Sequence, residues 1–240
     1  MKISLFRVWI SLSLVISLFA CDKNNNVSVF FSPEDDVELG AQVAAEIESD
    51  PQYQILSRTQ YPEAYQYLDS MVNAILNTNE VAYRNEFVWD VHIVRDDNVL
   101  NAFATPGGYI YVYTGLIKYL DNPDALAGVL GHEIAHAVAR HSAERMSTAI
   151  LVDAGTYALE RLVLGQRLPS FSKQLRTYGL DLPFNRSQES EADYMGIIFS
   201  NLAGYNIEES YKIWERMQEA SGASPAEFFS THPSPENRIK

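Results

Sequence analysis

The chain has 240 residues and a formal net charge of −13, with 18 Lys+Arg against 31 Asp+Glu. A pI near 4.7 excludes a nucleic-acid-binding surface, which needs clustered basic residues. A single cysteine excludes both an internal disulfide and a cysteine-built zinc site, so any metal must be held by histidine and carboxylate.

Lys2 and Arg7 precede an apolar run from Val8 to Ala20. The run is too short to span a bilayer, which takes about 20 residues, and it fits a secretory leader. It ends Leu18-Phe19-Ala20-Cys21, which resembles a bacterial lipobox with Cys21 as the lipidated residue. The expected organisation is a lipoprotein signal peptide over 1–20, a lipidated cysteine and polar tether over 21–31, and one domain over 32–240. No later stretch is long and apolar enough for a transmembrane helix.

Ser32-Pro33 followed by Glu34, Asp35 and Asp36 starts a helix that runs to about Glu48. A second amphipathic helix is expected from Pro62 to Asn77, with Tyr65, Leu68, Met71, Val72, Ile75 and Leu76 inward. Phe87 to Val94 alternates and reads as a strand. Asn101 to Tyr113 reads as two strands around Pro106-Gly107-Gly108. Further helices are expected over 123–141, 143–165, 187–203 and 207–221, with a loop over 166–186 and a proline-rich tail. Strands early and helices around them make the fold α+β, helix-dominated, with one small sheet.

The chemistry centres on Gly131-His132-Glu133-Ile134-Ala135-His136. On a helix, residues four apart leave the same face, so both imidazoles can reach one zinc ion. Glu133 then projects beside the metal, where a general base belongs. His141 falls five residues beyond His136, off that face, and reads as a helix-end residue. The third ligand is expected to be a carboxylate from elsewhere. Glu189 and Asp193 share one face of a later helix, so one can ligate while the other accepts a hydrogen bond from a ligand histidine. Glu191 lies about 200° around that helix and cannot do the same. Asn101, Ala102, Phe103 and Ala104 are candidates for an edge strand that binds an extended peptide. His92 reads as structural.

These segments resemble the gluzincin peptidase family that includes HtpX, the CAAX prenyl proteases and the BepA-like and Oma-like enzymes. The resemblance rests on Glu38-Leu-Gly, Asn101-Ala-Phe-Ala, Pro106-Gly-Gly-Tyr-Ile-Tyr-Val, the His132 to His136 motif, and Asn185-Arg-Ser-Gln-Glu189-Ser-Glu-Ala-Asp193-Tyr-Met-Gly196. It is nearest to periplasmic BepA-like lipoproteins, without their helical repeat region. It implies a zincin-type metallopeptidase domain whose small sheet lies beside the His132–His136 helix. It further implies one zinc per chain on His132, His136 and Glu189, with Glu133 as base and Asp193 orienting a ligand. His232-Pro-Ser-Pro-Glu-Asn-Arg238 is similar to an element near the zinc in relatives. His232 would assist the oxyanion or close the coordination sphere, and Arg238 would steady the oxyanion or the carboxylate ligand.

The expected function is zinc-dependent hydrolysis of unfolded or misassembled proteins of the bacterial cell envelope. The enzyme would be held by lipid on Cys21 facing the periplasm, at the outer membrane in preference to the inner. Two other readings stay open: a chaperone-like assembly factor using the same groove, and an amidase acting on cell-wall peptides.

Overall fold

The computed structural model describes residues 31–120, 122–149, 183–209, 212 and 232. The leader, Cys21 and the tether up to residue 30 lie outside the described residues, as do most of the 166–186 loop, most of the last expected helix and Arg238.

Helix α1 (Pro33–Ser49) begins with a reciprocal cap. The Ser32 hydroxyl accepts the Asp35 backbone N–H, and the Asp35 carboxylate accepts that of Ser32 at 2.7 Å. Helix α2 (Pro62–Leu76) buries the six residues assigned to its inner face. Strand β1 (Asp90–Val94) starts three residues later than the alternation suggests. The reason is Trp89, whose φ of 52° turns the backbone into the left-handed region and ends strand geometry there.

Strands β2 (Ala102–Ala104) and β3 (Tyr109–Tyr113) flank a 3₁₀ turn at Pro106–Gly108. The sheet order is β1-β3-β2, with β1 parallel and β2 antiparallel to β3. Gly107 needs its hydrogen side chain: its φ is 74°, and a Cβ there would sit 2.7 Å from the Val37 Cα of α1.

After short helix α3 (Thr114–Tyr119), helix α4 (Pro123–Val138) starts at Asn122, whose side chain accepts the Ala125 N–H at 2.7 Å. Nearly all of α4 is buried, which explains its apolar composition all round. It ends three residues before the expected boundary because Arg140 takes φ 59°. Residues 141–149 then form a new helical segment. Helix α5 (Arg186–Leu202) is capped by Asn185, in a reciprocal cap with Gln188.

The main core joins α2, the sheet, α4 and α5. Helices α4 and α5 cross at Gly131 and Gly196, where a Cβ on Gly196 would lie 2.7 Å from the His132 backbone N. Only glycine permits that approach, and it sets the distance between the two helices carrying the polar residues described next. Among the described residues, no helix is long and apolar enough to cross a membrane.

Candidate metal centre

The described residues place one group of donors together: His132 and His136 from α4, Glu189 from the first turns of α5, and His232, all buried. His132 Nε2 lies 3.0 Å from His136 Nε2 and 3.3 Å from His232 Nδ1. Glu189 Oε1 lies 3.3 Å from His136 Nε2 and 3.0 Å from His232 Nδ1. Donors about 2.0–2.1 Å from a tetrahedral zinc ion are separated by about 3.3 Å. The four atoms thus mark the corners of such a site, and the donor set of three imidazoles and one carboxylate suits zinc.

Electrostatics agree with ligation. Burial pushes the Glu189 carboxyl up, but the charge of His232, hydrogen bonds from His136 and His232, and the charge of His132 overcome it. The net effect holds Glu189 below the usual carboxylate range. Burial pulls His136 well below the ordinary imidazole value despite the opposing pull of Glu189. A carboxylate and a neutral imidazole are the forms a metal takes.

Glu133 sits beside this group. It is fully buried, with the Ala104 backbone N–H and the histidines of the donor group around it. Its Oε1 is 3.5 Å from His232 Nε2. Burial pushes its carboxyl up, opposed by His232 and His132. A carboxylate raised in this way is a better proton acceptor than one in water.

The supporting contacts divide by histidine. His132 Nδ1 meets Asp193 Oδ1 at 3.0 Å, the arrangement expected of that residue. His136 is supported differently. His141 lies past the end of α4 and outside the donor group, yet it is 2% exposed, and its Nδ1 lies 2.9 Å from His136 Nδ1. Burial pulls His141 down to about 4, so it is neutral at physiological pH. Two residues that the spacing did not single out complete the wall. Phe184 stacks on His136 with ring centroids 3.8 Å apart, and the Arg145 guanidinium lies 3.7 Å over the Phe184 ring. Phe184 lies just before the cap of α5 and Arg145 in the helical segment 141–149, and no periodic pattern marks them.

Strand β2 packs beside α4 and is an edge strand among the described residues. Asn101 is buried with no hydrogen-bond partner for Oδ1 among the described residues. Ala102 and Ala104 face inward, while half-buried Phe103 stacks on Tyr111 at 4.8 Å. His92 stacks on the other side of Tyr111, a packing role.

A buried His–His–carboxylate site on two crossing helices, with a further carboxylate beside it, defines the zincin class of metal-dependent peptidases. Residues 62–240 match Peptidase family M48, and the chain belongs to that family, whose members are zinc-dependent. The mitochondrial metalloendopeptidase OMA1 of Schizosaccharomyces pombe is 39% identical over 163 residues, covering 67% of this chain and 47% of the relative. That of Saccharomyces cerevisiae is 34% identical over 186 residues, covering 70% and 52%. The beta-barrel assembly-enhancing protease of Escherichia coli is 29% identical over 191 residues, covering 74% and 38%. The chain thus spans about half the length of the yeast relatives and less of the bacterial one.

Proposed function

We propose that this protein is a zinc metalloendopeptidase of the bacterial cell envelope, acting on unfolded or misassembled envelope proteins. The observation that carries the catalytic part is Glu133: a fully buried carboxylate, pushed up by that burial, beside four metal donors. A site that only tied the fold together would have no use for it. His132, His136 and Glu189 would hold the ion, which supplies Lewis acidity toward a scissile carbonyl. Glu133 takes the proton from an attacking water and delivers it to the leaving amine. Asp193, whose Oδ1 lies 3.0 Å from His132 Nδ1, would orient that ring. As the edge of the described sheet, β2 would offer backbone groups to an extended peptide. Arg238, from the tail, would assist the oxyanion or the carboxylate ligand.

His232 occupies the corner that a substrate would need. His232 would either close the coordination sphere and hold the enzyme latent, or withdraw from that corner and assist the oxyanion. Replacing His232 by Ala is expected to change peptidase activity, and unchanged activity would remove it from the site's working.

Location rests on Leu18-Phe19-Ala20-Cys21 and on similarity to the beta-barrel assembly-enhancing protease. Similarity to the fungal mitochondrial enzymes supports a second location, with the same chemistry at an organelle membrane. Metabolic labelling with a radioactive fatty acid separates the two: label lost in Cys21→Ser supports the lipoprotein.

The catalytic test is cleavage of unfolded casein with and without a chelator. Glu133→Gln should keep one zinc per chain and lose about 10²–10⁴-fold in kcat. Undiminished turnover by that variant would end the assignment, and holding of unfolded β-barrel proteins without cleavage would favour the chaperone-like reading.

A further inference from the structure

The corner that ends α4 does more than stop a helix. Arg140 is not glycine, yet it holds φ 59°, a conformation costing on the order of 1 kcal/mol. Its side chain secures the corner: Nε donates to Asp36 Oδ2 at 2.5 Å and Nη2 to Asp36 Oδ1 at 3.0 Å, with Asp36 only 1% exposed. A continuous helix would carry the residue five positions after His136 away from it. The left-handed turn instead brings His141 back beneath the ligand ring, with centroids 5.0 Å apart and planes at 71°.

The proton positions then follow from the metal side. His136 directs Nε2 at the other donors, so a bound ion requires Nε2 to be bare and the proton to sit on Nδ1. That Nδ1–H points at His141 Nδ1, 2.9 Å away, which must accept and is therefore also bare. The His141 proton is left on Nε2, whose nearby acidic group is Glu191 Oε2 at 3.5 Å. Every atom in the row has one consistent role: carboxylate, neutral imidazole, neutral imidazole, ion.

We propose that His141 is the positioning residue for His136, accepting its Nδ1 proton to lock the tautomer and ring orientation that ligation needs. The proposal rests on the zinc-site reading above. It makes the two ligand histidines unequal. His132 leans on a carboxylate, whereas His136 leans on a neutral ring whose own carboxylate, Glu191, is 56% exposed and one step further out. Charge donated to the ion through His136 is correspondingly smaller, which leaves more Lewis acidity for the reaction. Glu191, which helical spacing sets apart from Glu189, acquires a use on the opposite side of the ligand set.

The test uses the purified chain. Competition with a chromophoric chelator should show zinc bound about 10–100-fold more weakly by His141→Leu than by wild type. The visible spectrum of the cobalt-substituted protein should shift, and His141→Gln, which can accept through its amide oxygen, should restore both. Wild-type affinity and an unaltered cobalt spectrum in His141→Leu would overturn the proposal. A second measurement needs no variant: long-range ¹H–¹⁵N spectra of histidine-labelled, zinc-loaded wild type should show His136 protonated on Nδ1 and His141 on Nε2. His141 protonated on Nδ1 would overturn it. Absence of zinc binding by the wild type would instead overturn the metal-site reading.

Discussion

Gly196→Ala tests whether the crossing of α4 and α5 sets the metal site. A Cβ at that position would lie 2.7 Å from His132 N and 2.9 Å from both the Gly131 carbonyl carbon and His132 Cα. All three are backbone atoms, so no side chain can move aside. Ordinary carbon contacts are about 3.5–4.0 Å, so the helices must separate by roughly 0.6–1 Å. Overpacking of this kind costs about 1–3 kcal/mol. The better helix propensity of alanine returns up to about 1 kcal/mol. The net loss of stability is therefore small, about 0–2 kcal/mol. Metal affinity is the sharper readout. Glu189 lies two turns back along α5, and Asp193 less than one, so both move with the helix. Ligand distances must hold within about 0.2 Å, and a shift several times larger should weaken zinc binding by at least 10–100-fold. Chelator competition measures that, with melting of the metal-free proteins as the stability reference. Gly204→Ala is the control: φ is 89° but nothing lies within 4 Å of its Cβ, so backbone strain should appear without loss of zinc affinity. Gly196→Ala binding zinc within twofold of wild type would refute the reasoning.

Arg140→Ala leaves the Asp36 carboxylate buried without its hydrogen-bond partner, and urea unfolding should show a loss of about 3–5 kcal/mol. A loss under about 1 kcal/mol would mean that the pair does not hold the corner. Asp90 is held below its ordinary value of 3.8 by His92 first, against burial, and then by Arg58. Because the folded-state value is the lower one, its stabilisation is present above pH 3.8 and is lost as the pH falls through the folded value. Asp90→Asn should thus cost about 0.5–1 kcal/mol near neutral pH, the screened value for a pair whose Asp90 side chain is 38% exposed. The gap from wild type should close in acid, and a gap independent of pH would exclude the ionic explanation.

The parts of the site legible in the sequence are those fixed by local periodicity. His132 and His136 share a helical face wherever the helix lies, and Glu133 follows from its place between them. Spacing also put Glu189 and Asp193 on one face, but it did not decide which would ligate; that came from the resemblance. The contact of His141 with His136 is not legible because on a continuous helix the two would diverge. The helix breaks at Arg140, and what secures the break is Asp36, 104 residues earlier. Strand β1 was overextended for a similar reason, since nothing in the alternation from Phe87 marks Trp89 as left-handed. Phe184 and Arg145 gave no signal because a residue that walls a site from a loop or a helix start carries no repeat.

The same long-range contacts explain why the site belongs to a metal and not to packing. Glu133 and Glu189 are 0% and 1% exposed, and leaving water costs each carboxylate several kcal/mol. At Glu189 the neighbouring histidines outweigh burial, whereas at Glu133 burial prevails. Arg145 contributes positive charge toward both carboxylates, but burial works against its own charge. A divalent ion held by His132, His136 and Glu189, as proposed above, would supply positive charge where the two carboxyl groups converge. Coupling of folding to metal occupancy is therefore expected, with the crossing at Gly131 and Gly196 as its geometric condition, and a melting temperature unchanged by zinc would refute it.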